Sequence, residues 1–262
     1  MTNSPHPNEL ESVLIVTENP PTVLKQIAGL RSILNFHLKP KPVRLIRDTY
    51  FDKTDGSLRK RRVNLRIRQI DGTVLVSVKS RARITRGGIQ RREMELAWSN
   101  SALATIVKQL KLESPSLSPN SQSSHVEPAQ LLASIGMQII QERQTKRQAR
   151  DITSELEPDD SVLAELAIDH VTYHFENHNV SIFELEVEAK AKGSSSTVRD
   201  VTETLLSTYQ PALQKWSHGK FVTGDAIERL LRAGSLQNYL DDNGLKPAGL
   251  DAIDNAIRSR RF

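Results

Sequence analysis

The chain has 262 residues, 37% hydrophobic and 26% charged, enough to bury the core of one large domain or two small ones. It contains no cysteine, which excludes disulfides, thiol catalysis and thiolate-bound zinc. No apolar run approaches the roughly 18 residues of a membrane span, and Met1 to Pro7 has neither the basic end nor the apolar stretch of a secretion signal. A cytoplasmic protein with no membrane partner is expected.

Net charge is +5 and the pI about 9.4, which points to an anionic partner. From Lys41 to Arg92 there are sixteen Lys and Arg against four Asp, whereas Glu155 to Glu188 holds ten Asp and Glu and no base. Either these blocks are two solvated surfaces of opposite sign, or one site uses both, bases for phosphate and acids for its metal.

Taken in chain order, the elements begin with a strand at Glu9–Val16 and a helical pattern at Pro21–Leu30. A strand follows at Val43–Phe51. In Asn64–Gln69, Arg66 and Arg68 oppose Leu65 and Ile67; an Asp71-Gly72 hairpin leads to Thr73–Lys79, where Val74, Val76 and Val78 share a side. Gly87-Gly88 predicts a turn before a strand in which Arg91, Glu93 and Glu95 oppose Arg92, Met94 and Leu96. A helix at Ser101–Leu110 precedes a Ser- and Pro-rich loop over 113–128. Strands at Gln138–Arg150 and Val162–Tyr173, a polar turn at Glu176–Asn179 and a strand at Phe183–Lys190 complete a set of about eight, enough to close a small barrel. Helices are expected at Thr197–Leu206 and Asp225–Leu231. The tail, 232–262, reads as helical with a break near Gly244–Gly249, either a packed cap or a loose amphipathic segment.

Alternating strands ordinarily turn the charged face to water. Here Glu184, Glu186 and Glu188 line up about 7 Å apart, from a rise of about 3.3 Å per residue. Like charges so close need cations between them. Oxygen-only ligands favour Mg²⁺ or Mn²⁺, and Arg66, Arg68, Lys79, Arg91 and Arg147 would supply forks and point charges for phosphate oxygens. Arg143 shares the parity of Arg147 and is equally a rim residue, while Arg150 falls on the other face and is expected at the surface. The run Arg59 to Arg62 reads as a solvated helix or turn, and Tyr50 and Trp216 as packing residues. His170, His174 and His178 have metal spacing only on a helix, and a strand spreads them apart.

The run Tyr50-Phe51-Asp52-Lys53-Thr54, then Leu65-Arg66-Ile67-Arg68 and Ser77-Val78-Lys79, resembles the CYTH family of triphosphate tunnel metalloenzymes. Arg91 to Leu96, Thr145-Lys146-Arg147, Ala164 to Asp169, Phe183 to Lys190 and Trp216 to Gly224 are similar to the family's later motifs, in its order, with Gly219 where a serine is common. The resemblance implies an α+β fold, an eight-stranded antiparallel β-barrel or tunnel with a charged interior flanked by helices, over residues 1–231, with 232–262 as a helical tail. It implies a divalent-metal-dependent triphosphatase using Mg²⁺ or Mn²⁺ on inorganic or small organic triphosphates. A triphosphate or polyphosphate is the expected ligand, and with aromatics at 5% a nucleic-acid partner is not expected.

By the same resemblance Arg66, Arg68, Lys79, Arg91, Arg147 and Lys220 would bind phosphate. Glu9, Glu11, Glu184, Glu186 and Glu188 would hold the metal, with Glu9, Glu11, Glu165 and Asp169 as the catalytic acids and Glu93 and Glu95 in support. The family's first strand reads Glu-x-Glu-x-Lys, and here Glu9-Leu10-Glu11-Ser12-Val13 carries valine at the lysine. That change implies weakened turnover, an altered substrate or a binding role. A class IV adenylyl cyclase activity is the other reading.

Overall fold

The computed structural model describes residues 9–80, 83–85, 88–91, 93–112, 127–154, 161–241 and 244–259. In chain order the first elements are β1 (Glu9–Val16), α1 (Pro20–Gly29), β2 (Ser32–Ile33), β3 (Phe36–Pro40), β4 (Arg44–Lys53) and α2 (Ser57–Lys60). Then come β5 (Asn64–Ile70), β6 (Thr73–Lys79), β7 (Arg83–Thr85), β8 (Gly88–Arg91), β9 (Glu93–Ala97), α3 (Asn100–Leu110) and α4 (Pro128–Ser134). The rest are β10 (Met137–Ser154), β11 (Val162–Phe175), β12 (His178–Ala189), α5 (Ser195–Tyr209), β13 (Leu213–Lys215), α6 (Lys220–Arg232), β14 (Leu240–Asp241), β15 (Gly244–Leu245) and α7 (Pro247–Arg258). The strands expected from the alternation are present, except that the one expected through Arg91, Glu93 and Glu95 is divided between β8, which neighbours β1, and β9, which pairs with β6; the architecture is antiparallel sheet with flanking helices. Gly87 of the expected second turn, and most of the Ser- and Pro-rich loop, lie outside the described residues.

The contacts separate two compact units: Met1–Glu9, Ile46–Arg83 and Arg91–Arg143 in the first, Leu10–Leu45, Ile84–Gln90 and Gln144–Phe262 in the second. In the first, β4, β5, β6 and β9 pair antiparallel in that order. Because residues directly opposite across a pair share a face, the register sorts them cleanly. Phe51, Leu65, Ile67, Val76 and Val78 fall on one face, where Leu103, Ile106, Val107 and Leu110 of α3 and Leu132 of α4 cover them. Ser99 caps α3, its Oγ accepting from the Ala102 amide at 3.0 Å. The opposite face carries the rows Tyr50–Arg66–Ser77–Glu95 and Asn64–Lys79–Glu93, with Asp48 beside Arg68.

In the second unit β8, β1, β12, β11 and the later part of β10 are neighbours, with β13 on β1 and β3 on β10. One face, with Leu14, Leu166, Ile168, Leu185 and Val187, is packed under Val23 and Ile27 of α1 and Val198, Val201 and Leu205 of α5. The other changes character along the strands. Its rows Glu11–Glu188–Glu165 and Ile15–Glu184–Asp169 are acidic, and further along β11 and β12 come Val171, Ile182, Tyr173 and Val180. Over these apolar residues lie Ala226 and Ile227 of α6 and Leu250 and Ile253 of α7. The end of the chain is therefore a packed cap, and Ile253 is fully buried.

Candidate phosphate and metal site

In the first unit the charged face is built around Asp48, which is 2% exposed. Arg68 grips it as a fork, Nε to Oδ1 at 2.8 Å and Nη2 to Oδ2 at 3.1 Å. Arg143 Nη2 donates to Oδ2 at 2.7 Å and to the Tyr50 hydroxyl at 2.7 Å, with the guanidinium 5.0 Å from the Tyr50 ring centre. Arg66, equally buried, donates through Nε to Ser77 Oγ at 2.9 Å and through Nη2 to Glu93 at 3.0 Å and Glu95 at 2.8 Å. Lys79 Nζ is 2.7 Å from Glu93. Burial pushes the Asp48 carboxyl up, but Arg66, Arg68 and Arg143 together hold it well below the usual carboxylate range. Burial also disfavours the Arg66 cation, and the carboxylates around it more than offset that.

The second unit inverts this arrangement. Lys220, the first residue of α6, extends its Nζ to Glu184 at 2.9 Å, to Asp169 at 3.1 Å and to Glu186. Arg147 forks onto Asp169, Nε to Oδ1 at 2.8 Å and Nη2 to Oδ2 at 2.6 Å, and also reaches Glu186. Glu165 receives Lys41 Nζ at 2.7 Å, and Glu188 receives Lys190 Nζ at 2.7 Å. Glu184 is fully buried, and that burial, with Glu186 and Asp169 nearby, raises its carboxyl above the usual value although Lys220 pulls the other way. Burial would lower the Lys220 ammonium, yet Glu184, Glu186 and Asp169 hold it above its ordinary value. Glu165, raised by burial, is drawn below its usual value by Lys41, Lys190 and Arg147.

The structure thus brings Asp169, Glu184, Glu186, Arg147 and Lys220 into one cluster, and Glu11, Glu188 and Glu165 into one cross-strand row. Arg66, Arg68 and Lys79 share the charged face of the first unit. The side chains of Glu9 and Arg91 lie outside the described part of the structure. Among the described residues no three acid or imidazole groups are gathered closely enough to hold a metal ion by themselves. The donors nevertheless suit Mg²⁺ or Mn²⁺, being carboxylate oxygens only, and the Lys220 ammonium lies among three of them where positive charge is required. Glu186 stands between Glu184 and Glu188 along β12, and Glu11 is opposite Glu188, so this face offers oxygen donors of the kind a divalent ion takes. Val13, 4% exposed, faces Glu186 across the ladder and packs in the apolar cluster with Ile15, Val171 and Trp216.

Several residues depart from their sequence reading. Arg143 is not at a rim but 4% exposed, on Asp48. Arg150 is on the opposite face as expected, but it is buried there, because it donates to the Ala28 and Leu30 carbonyls at the end of α1. Arg61 of the basic run donates to the Leu110 carbonyl at 2.6 Å and so ties down the end of α3. Asp52 of the Tyr-Phe-Asp run is structural, its carboxylate accepting the Leu58 and Arg59 amides of α2. His174 pairs with Asn179 at 2.9 Å, and His178 with Gln237 at 3.3 Å. Asp48 and Lys41 were not singled out in the sequence. Asp48 shares strand parity with Tyr50 and Asp52, which would have placed it opposite Phe51; nothing local marks Lys41, whose partner is 124 residues away.

Comparison with known proteins agrees with this geometry. No curated protein matches the chain significantly. Among solved structures, a candidate adenylyl cyclase from Hippeastrum, described as having a dominant triphosphatase activity, is similar over 87% of this chain and 96% of its own, at 14% identity and a TM-score of 0.51, and so shares the fold. A candidate adenylate cyclase from Bacillus halodurans (18% identity, 81% and 95% covered, TM-score 0.47) and the PH1819 protein of Pyrococcus horikoshii (15%, 86% and 99%, 0.47) are also similar. No helix among the described residues is long and apolar enough to cross a membrane. The CYTH domain model matches residues 22–216, most of the length over which the charged strands run, and the chain belongs to the CYTH domain family.

Proposed function

We propose that this protein binds a triphosphate together with Mg²⁺ or Mn²⁺ and hydrolyses a phosphoanhydride bond. The observation that carries the reading is the buried cluster in which Lys220 and Arg147 sit among Asp169, Glu184 and Glu186. Burying five charges costs more than a hydrophobic core in their place would, and that cost supports a functional reason for the cluster. The triphosphatase activity described for the structurally similar Hippeastrum protein supports the same chemistry.

In this reading Arg66, Arg68, Lys79, Arg91, Arg147 and Lys220 bind phosphate oxygens and offset the charge that builds on the transferred phosphoryl group. Glu9, Glu11, Glu184, Glu186 and Glu188 hold the metal, which when bound neutralises phosphate oxygens and acidifies water. Glu165 and Asp169 orient the attacking water, with Glu9 and Glu11 as the remaining catalytic acids. Val13 leaves the first strand without a base, which weakens turnover relative to binding.

The experiment is phosphate release from tripolyphosphate, nucleoside triphosphates and long-chain polyphosphate with each metal, on wild type and Val13→Lys. Metal-dependent release is expected, with a gain in the variant. No turnover of any substrate by either protein would sink the hydrolase claim. Cyclic AMP formed from ATP would replace it with a cyclase.

A further inference from the structure

Asp48 receives four hydrogen bonds from two arginines and has a third close by. Arg68 Nε and Nη2 donate at 2.8 and 3.1 Å, and Arg143 Nη2 and Nε at 2.7 and 3.2 Å. Arg66 Nε is 3.7 Å from Oδ1. Neutralising one acid would not require three bases. A fork onto a buried carboxylate also does something a point charge cannot: it fixes the plane of the guanidinium. Two of the five N–H groups of Arg68 are taken by Asp48, so the direction of the remaining edge is set by that bond. The Arg68 side chain is 20% exposed while Asp48 is 1%, so the arginine, and not the acid, can meet a ligand.

We infer that Asp48 is a positioning residue, itself held in place by the buried Arg143 and aiming the N–H edge of Arg68 at the phosphate oxygens of a triphosphate; the inference rests on the triphosphate reading above. Tyr50 completes the device, since its hydroxyl accepts from the same Arg143 Nη2 that Asp48 holds. The two possible roles of Asp48 differ in sign. If the acid mattered only through its charge, removing it would make the face more positive and tighten anion binding. If it aims the Arg68 guanidinium, removing it loosens binding despite the added positive charge.

The test is calorimetric titration of tripolyphosphate, with and without Mg²⁺, into wild type, Asp48→Asn, Arg68→Met and the double variant, with thermal melts in parallel. Asp48→Asn should bind at least about tenfold more weakly. The double variant should bind no worse than Arg68→Met, because the acid acts through the arginine. Tyr50→Phe, which changes no charge, should also weaken binding and serves should Asp48→Asn fail to fold. Equal or tighter binding by Asp48→Asn, or unchanged binding by Tyr50→Phe, overturns the positioning role while wild-type binding leaves the triphosphate reading standing. A wild type that does not bind tripolyphosphate at all removes that reading and this inference with it.

Discussion

The two charged faces of this protein are mirror solutions to one problem. In the first unit a single acid, Asp48, is ringed by arginines; in the second a single ammonium, Lys220, is ringed by acids. Each puts the minority charge at the centre and so keeps several like charges close together on a strand face. The difference lies in what is left over. Four bases (Arg66, Arg68, Arg143, Lys79) meet three acids (Asp48, Glu93, Glu95) in the first face, whereas Lys220 and Arg147 meet Asp169, Glu184 and Glu186 in the second. The first face carries more bases than acids, and the second more acids than bases.

The sharpest way to break this symmetry is to remove a central charge. Lys220→Met leaves three acids with Arg147 alone, and we expect a loss of about 3–5 kcal/mol in chemical denaturation. Because the vacated place suits a cation, Mn²⁺ should raise the melting temperature of this variant more than that of wild type. An equal response in both would show that Lys220 does not stand where positive charge is needed. Next comes Arg66→Met in the phosphate-release assay, with an expected fall of about a hundredfold in turnover, the scale of losing one aimed donor. A change confined to KM would instead assign Arg66 to ground-state binding.

A smaller effect is restricted to acid. Asp48 has its folded pKa held below the unfolded value of about 3.9. Its contribution to stability is therefore complete above that value and is lost as pH falls through the folded one. The gap in melting temperature between wild type and Asp48→Asn should stay constant above about pH 5 and narrow steadily below about pH 4. A gap unchanged at about pH 3 contradicts a carboxylate held by guanidiniums. Smallest of all is Arg232→Ala, which removes an exposed pair with Glu228 on α6. It should cost less than about 0.5 kcal/mol, which measures how much of the larger effects is due to burial.

Period-two alternation made the sheet legible. Thr73–Lys79 is a strand with the expected bounds, and Glu184, Glu186 and Glu188 do share a face. β10 runs to Ser154, beyond the expected Arg150, because its end pairs with Phe36–Pro40, a five-residue strand too short and too irregular to announce itself. Alternation also tells which side of a strand a residue is on, not what covers that side. Arg150 lies on the face that alternation predicts, but it is buried there because α1 ends over it. For the site, the bases on β5 and β6 and the acids on β11 and β12 were visible as patterns. Nothing in the local pattern marks Asp48, an acid on a strand whose partners, Arg68 and Arg143, lie 20 and 95 residues away. The packing of the tail was open in the sequence, since amphipathic helices look alike whether or not a partner face exists for them.

The position of Lys220 has a practical consequence for anyone shortening this protein. The family match ends at residue 216, and a chain cut there would lose the ammonium at the centre of the acidic cluster along with the whole of α6. A cut at 231 would keep Lys220 and most of α6 but strip away Leu236, Leu250 and Ile253, leaving the apolar cluster of Val171, Tyr173, Val180 and Ile182 only partly covered. Either product should be prone to aggregate during purification. A recombinant chain fit for assay must run at least through Arg258, where α7 ends.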